Sequence, residues 1–443
     1  MNTNQYKMSC VPEDGSSVIE WFDGEQINEV LFCKAFLAGT PLRCINGYFF
    51  GLDGLKSDGE VEKAIYEKLK NLLSKNVFKK VKQLMDVLRM EAYAEEMQVQ
   101  MDRIHVKNGT YFLDGTFKAE KEFCINRLPV EYKTETSEPV NWLKFVSGLL
   151  EEDDISTLQE YMGYALIPSN KAQKLLLILG KGGEGKSRVG LIMRSLLGVN
   201  MNISSIQKVE HNRFARADLE HKLLLVDDDM KMEALKDTNY IKSIVTLEDK
   251  MDLERKSKQS VQGTLYVRFL CLGNGSLSAL HDRSYGFYRR QLILTTKDRP
   301  ADRADDPYLI DKLRQEADGI FLWALEGLRR LLKNDYRFTV SSRTRENLRE
   351  AMENSNNLIA FMESDGYIRL EEGTTATSKA LYDAYQQWCA DNAEKPIGTK
   401  TFSSYLIENE KRYGIKYSTN IVGGNGKKAR GFYGLFTQIR PKG

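Results

Sequence analysis

The chain has 443 residues, 42% hydrophobic and 28% charged, and its 64 Lys and Arg against 62 Asp and Glu leave a net charge of +2. That composition fits a soluble globular protein of about two to four domains. No uninterrupted apolar run is long enough to span a bilayer, and with a net charge of +2 any nucleic-acid footprint must be local rather than global. The six cysteines stand singly, with no C-x-x-C pair, which argues against a zinc site or disulfide frame and for a reducing cytoplasm. The first ten residues, MNTNQYKMSC, have neither the basic nor the apolar region of a secretion signal.

In chain order, residues 60–105 place apolar side chains at three- and four-residue intervals, which predicts two or three amphipathic helices. RIHVKNGTYFLDGTF then alternates around Asn-Gly and Asp-Gly, the pattern of a hairpin. Residues 141–168 read as helical again, and LIPSNKAQ as a turn. From residue 175 short apolar strands alternate with helical patterns, an α/β block. Residues 295–306 form a polar, Pro-containing loop, helices resume to about Met362, and a compact segment follows LEEGTTATS. The expected domains are residues 1–110 (mainly helical), 111–170 (hairpin and helical collar), 171–335 (motor), 336–375 (helical linker) and 376–443.

Gly180-Lys181-Gly182-Gly183-Glu184-Gly185-Lys186-Ser187 fits G-x-x-x-x-G-K-[ST], with an apolar strand before it and an amphipathic helix after it. Glycines let the backbone curl so that successive N–H groups point at phosphate oxygens, and the helix dipole adds to them. Lys186 would reach the β- and γ-phosphates, the Ser187 hydroxyl would ligate Mg²⁺, and Arg188 opens the helix beside them. The cofactors expected are therefore ATP and Mg²⁺. In HKLLLVDDDM an apolar strand delivers carboxylates to its end: Asp227 to hold Mg²⁺ and Asp228 to activate water. Asp229 could take the second task if the strand register is off by one residue. RFLCLGNGSL is a third apolar strand, ending at Asn274, which would bond the water or the γ-phosphate. Arg289 and Arg290 precede a further strand, either as a solvated rim or as an arginine finger for a neighbouring subunit. Arg290 is the first choice and Arg283 a lesser candidate.

The set Gly180–Ser187, Asp227–Asp228, Asn274 and GFYRRQLIL resembles the superfamily 3 helicases of the AAA+ class, more narrowly the poxvirus-type and phage–plasmid primase–helicase C-terminal regions, including replication initiators of mobile elements. The similarity runs from about residue 30 to the C-terminus. The three aspartates stand where many relatives place a glutamate. The resemblance implies an α/β fold built on an AAA+ P-loop motor and a homo-oligomeric ring, most simply a hexamer, moving 3′→5′ along DNA. It also implies a β-hairpin ahead of the Asn strand that projects into the ring. In ERKSKQSVQGT, Arg255, Lys256 and Lys258 would then grip successive phosphates, with Lys256 first. A solvated charged loop is the plain alternative.

Residues 379–443 read as two helices followed by a glycine-rich basic hairpin, the signature of a winged helix. Its last 23 residues hold Lys427, Lys428, Arg430, Arg440 and Lys442 and no acid, a footprint for duplex phosphates. Lys400 and Ser403 could face a groove, and a basic tail that aids solubility is the alternative. Residues 1–55 show no primase constellation, so a separately encoded primase is the expected partner. Two rival functions remain: an ATP-switched DNA-binding initiator or helicase loader, and, less well served by Asn274 and the Arg pair, a small-molecule kinase.

Overall fold

A computed structural model describes residues 19–230, 238–246, 250–256, 259–274, 285–300, 304–355, 357–422 and 426–438. Helix α1 (Glu29–Gly39) leads into an antiparallel sheet of β1 (Leu42–Ile45), β2 (Tyr48–Gly51) and β3 (Gly54–Lys56), followed by α2 (Asp58–Leu69) and α3 (Val77–Glu91). Ser57 caps α2 and Glu60 returns to the Ser57 N–H, so two otherwise unmade backbone bonds are satisfied at the helix start. Phe32, Phe49, Ile65, Leu84 and Leu88 close a core of their own. Two of the two or three helices expected over residues 60–105 are present, but α3 ends at Glu91 and residues 93–102 are not helical; a small sheet that sequence reading did not anticipate precedes them.

Strands β4 (Arg103–Val106), β5 (Gly109–Phe112) and β6 (Phe117–Lys118) form the expected hairpin and its extension. Because Arg103 pairs with Phe112 across the hairpin, the boundary expected at residue 110 would cut through a strand. Helices α4 (Val140–Leu149) and α5 (Glu152–Tyr164) follow.

The centre is a five-stranded parallel sheet. In chain order its parts are β7 (Leu175–Gly180), α6 (Ser187–Leu197), β8 (Met201–Ile203), α7 (Ile206–His211), α8 (Arg213–Ala217), β9 (Leu224–Met230) and α9 (Asn239–Thr246). After these come a hairpin of β10 (Met251–Leu253) and β11 (Val261–Gly263), then β12 (Arg268–Asn274), α10 (Tyr285–Tyr288) and β13 (Gln291–Thr295). The spatial order is β13-β7-β12-β9-β8. Alternation along each strand assigns its side chains to two faces. Leu176, Ile178, Val226, Leu270 and Leu272 pack with Val189 and Ile192 of α6, while Leu175, Leu177, Leu225 and Cys271 pack with Ile206 of α7 and Ile244 of α9.

Helices α11 (Leu309–Gln315) and α12 (Ala317–Lys333) join α4 and α5 on the α6 face, and α13 (Ser342–Ser355) covers the other, where Asn347 donates to the Ile293 carbonyl at 2.9 Å. Arg268, 1% exposed, donates to the carbonyls of Ala165, Tyr266 and Ser169 at 2.9, 2.8 and 3.2 Å. Tyr161 donates to the Phe269 carbonyl at 2.6 Å, so the end of α5 is fastened to β12.

After α14 (Asn357–Met362), strand β14 (Ile368–Thr377), α15 (Ser378–Asp391), α16 (Thr399–Glu408), α17 (Glu410–Tyr413), β15 (Lys416–Val422) and β16 (Lys428–Thr437) make a last unit with its own core, in sheet order β14-β16-β15. Strand β14 falls where a helical linker was expected. Ile368 pairs with Thr437, so this unit starts before residue 376.

Candidate functional site

Three strand ends meet along one edge of the central sheet. Strand β7 ends at Gly180 and gives way to the glycine loop, where Gly182, Gly183 and Gly185 have φ of 110°, 84° and 111°, a region closed to most side-chain-bearing residues. Helix α6 begins at Ser187, whose side chain is exposed, with Arg188 half-buried beside it. Asn274, exposed at the end of β12, is the parallel register partner of Gly180. A Cβ on Gly182 would lie 3.8 Å from Asn274 Oδ1. The C-terminal edge of a parallel sheet is where α/β proteins take ligands, because loops and helix N-termini converge there.

The loop is organised around Glu184. Its Oε1 accepts from the Lys181 and Gly182 N–H groups at 2.6 and 2.8 Å, and its Oε2 lies 2.8 Å from Lys186 Nζ. Glu184 and Lys186 are 3% and 6% exposed. Burial opposes ionisation of Glu184, but Lys186 and the loop N–H groups outweigh it and hold the carboxyl below its ordinary pKa. The loop is thus an anion cradle with a carboxylate in it, and its donors fit a phosphate group.

The acidic strand differs from expectation. Asp227 is 5% exposed, accepts from the Ile206 N–H at 2.8 Å, and faces α7 with its register partner Cys271, away from α6. Burial raises its pKa, against the Ile206 and Asp229 N–H groups and the Ser205 hydroxyl, which lower it. The metal role expected of Asp227 therefore conflicts with its direction. A bulge between Cys271 and Gly273 sets both Asp228 and Asp229 opposite Leu272, and both are exposed at the sheet edge. Both acids weighed for the second task, Asp228 and Asp229, thus reach the edge, and the backbone does not choose between them.

The Arg pair lies at the opposite edge, where Leu175 N–H donates to the Arg290 carbonyl at 2.8 Å. Arg289 is exposed, whereas Arg290 is 7% exposed and donates inward to the Gly286 carbonyl. Of the pair, the expected second choice, Arg289, is the one whose side chain leaves its own chain, and the expected first choice, Arg290, is turned inward. The expected hairpin ahead of the Asn strand is β10–β11. Arg255, two residues past the end of β10 on the turn side of the hairpin, is paired with Glu220 and lies 5.6 Å over the Tyr48 ring, so its charge is held against its own chain rather than offered to DNA. Lys256 beside it is exposed. In the last unit Lys400 is exposed near the start of α16, with Ser403 half-buried, and Lys427, Lys428 and Arg430 are exposed at the start of β16. Lys258, Arg283, Arg440 and Lys442 lie outside the described residues.

Sequence reading passed over the segment after β13. Thr296 Oγ1 would lie 2.3 Å from a Cβ on Gly180, and Arg299 donates to the Gly183 carbonyl at 3.4 Å. The available signal was position: these residues follow the strand that neighbours β7.

Residues 178–290 match a family described as a family of unknown function, DUF5906, which spans less than half of the chain. No curated protein sequence matches. Among solved structures, three determinations of the apo C-terminal region of NrS-1 are similar. The first has a TM-score of 0.52 at 12% identity over 90% of this chain and 98% of that one. The others have TM-scores of 0.50 and 0.53 at 10% and 11% identity, over 92% and 91% of this chain and 100% and 99% of theirs. What the chain shares with the NrS-1 region is its fold, an α/β architecture with a central parallel sheet.

Proposed function

We propose that this protein is an ATP- and Mg²⁺-dependent DNA helicase of a mobile genetic element, built on an AAA+ motor of the superfamily 3 type. It would unwind DNA 3′→5′ at an origin or fork as a homo-oligomeric, hexameric ring. The observation that carries the reading is the sheet edge itself: an anion cradle, Asn274 and a pair of exposed carboxylates end three adjacent strands.

In this reading the Lys181 and Gly182 N–H groups and the Lys186 ammonium hold phosphates, and the start of α6 adds its dipole. Ser187 would hold Mg²⁺ together with Asp228, in place of Asp227, and Asp229 would orient the attacking water. Bound Mg²⁺ would supply charge neutralisation at the phosphates. Asn274 would sense the γ-phosphate from β12, and Arg289 would reach the neighbouring subunit's site. Lys256 would contact one DNA strand by charge, and the C-terminal unit, as a winged helix, would hold duplex DNA through Lys400, Lys427, Lys428 and Arg430. A separately encoded primase is the proposed partner and the cytoplasm the proposed location. No helix among the described residues is long and apolar enough to cross a membrane.

One observation favours a second reading, an ATP-switched initiator or loader. Arg255, on the turn side of the β10–β11 hairpin, is tied to Glu220 and Tyr48, which restrains a hairpin that a motor must move. The deciding experiment is strand displacement on forked DNA with either tail polarity, wild type beside Lys186→Ala. Steady ATP-dependent displacement lost in the variant supports the helicase. Single-turnover hydrolysis without displacement supports the switch.

A further inference from the structure

The carboxylate of Glu184 sits where the donors of the glycine loop converge. Two backbone N–H groups and the Lys186 ammonium meet its two oxygens at 2.6, 2.8 and 2.8 Å, and both charged side chains are more than nine-tenths buried. A terminal phosphate would need the same three donors. Two anions cannot share them, because like charges about 3 Å apart in a poorly solvated site repel strongly. Gly183 and Gly185, with φ of 84° and 111°, flank Glu184, so the backbone on either side can rotate without Cβ strain.

We propose that Glu184 is a built-in anion that occupies the phosphate cradle of the ligand-free protein and must be expelled when a nucleotide binds. It thereby sets which anions the loop accepts. The inference rests on the reading of this loop as a nucleotide site. A single small anion offers the cradle about what Glu184 already offers and gains little by entering. A magnesium nucleotide brings further phosphates, a metal and a base, and those added contacts drive the exchange. The apparent affinity is the intrinsic affinity multiplied by the fraction of loops whose carboxylate is out.

The test uses the full chain and Mg-ADP as probe, with titration calorimetry on wild type, Glu184→Gln, Asp298→Asn and Lys186→Ala. Glu184→Gln keeps the shape and removes the charge, and Mg-ADP is expected to bind it at least about tenfold more tightly. Asp298 pairs at 2.8 Å with the exposed Lys181 side chain, outside the cradle, so its neutralisation controls for general charge removal. It should change affinity by less than about threefold. Hydrogen exchange gives a second readout. The Lys181 and Gly182 amides should be protected in ligand-free wild type, exchange faster in Glu184→Gln, and regain protection with Mg-ADP. Equal Mg-ADP affinity in wild type and Glu184→Gln, equal exchange of the two amides, or an equal gain from Asp298→Asn would overturn the inference while leaving the nucleotide site in place. Binding that is absent in both wild type and Glu184→Gln would overturn the nucleotide reading and this inference with it.

Discussion

Asn274 and Gly180 end adjacent parallel strands as register partners, so the last side chain of β12 stands beside the first residue of the glycine loop. A Cβ on Gly182 would come within 3.8 Å of Asn274 Oδ1, so the amide is placed to touch whatever the loop holds. An interaction realised mainly as charge shifts in the transition state affects turnover more than binding. Asn274→Ala should therefore lower the ATPase kcat by about 10²-fold with KM changed by less than about threefold. A proportionate rise in KM with kcat intact would assign Asn274 to ground-state binding alone.

The three aspartates of β9 divide by direction. Asp227 accepts the Ile206 N–H and faces α7, while Asp228 and Asp229 occupy the bulge at the edge. Asp227→Asn keeps an acceptor there and should retain turnover within about threefold while shifting the urea midpoint. Asp228→Asn and Asp229→Asn should each remove about 10²-fold or more of kcat with a native midpoint. If Asp227→Asn alone abolishes hydrolysis, the metal role returns to the first acid of the run.

These aspartates show where sequence reading stops. An apolar run ending in acids predicts a buried strand with carboxylates at its edge, and β9 is that strand, because burial and period-two alternation are local properties. Which acid faces which side depends on the bulge opposite Leu272, a feature of how β9 meets β12, and sequence carries no signal for it. The same division holds elsewhere. The glycine loop, the Asn-Gly hairpin and the helices of residues 60–105 follow from turn chemistry and periodicity. The inward turn of Arg290, the Arg255–Glu220 pair and Thr296 beside Gly180 are long-range packing. Strand β14 was missed because its polar, threonine-rich end resembles a loop until β16 pairs with it.

Arg289 is exposed at the opposite sheet edge from the glycine loop; in the proposed ring that edge of one subunit would face the cradle of the next. Arg289→Ala should lose about 10²-fold or more of ATPase activity yet bind nucleotide normally. Mixing it with Lys186→Ala should restore a fraction of the activity, because a mixed interface unites an intact cradle with an intact arginine. Arg290, turned inward, should when replaced by Ala lower the thermal midpoint instead. Mixtures with no activity above the sum of the two variants would exclude a role in trans.

Along the hairpin, Lys256 is exposed while Arg255 is paired with Glu220. Lys256→Ala should keep ATP hydrolysis within about threefold and abolish strand displacement, and it should reduce the salt slope of single-strand binding by about one. Arg255→Ala should act through stability, since Glu220 is left half-buried without this partner. Normal displacement by Lys256→Ala would remove the hairpin from the unwinding step.

His105 supplies a pH dependence with a fixed sign. It is 5% exposed, with Nδ1 3.1 Å from Thr110 Oγ1 and Nε2 2.6 Å from Gln100 Oε1. Burial, reinforced by the Arg127 and Arg103 charges against those of Glu122 and Asp102, lowers its pKa from 6.5 to about 4. Above pH 6.5 the ring is neutral in both folded and unfolded chains and adds nothing to any pH slope. Between 6.5 and 4 the unfolded chain takes up a proton that the folded chain refuses, so stability falls as pH falls. The loss reaches about 3 kcal/mol at pH 4. His105→Gln lacks the titration. Urea unfolding of wild type and variant at pH 7.5, above the window, and at 5.5 and 4.5, within it, should give stability differences that converge, or change sign, as the solution is acidified. The carboxylates common to both proteins cancel in that difference, so two parallel profiles would mean that the folded and unfolded chains protonate His105 alike.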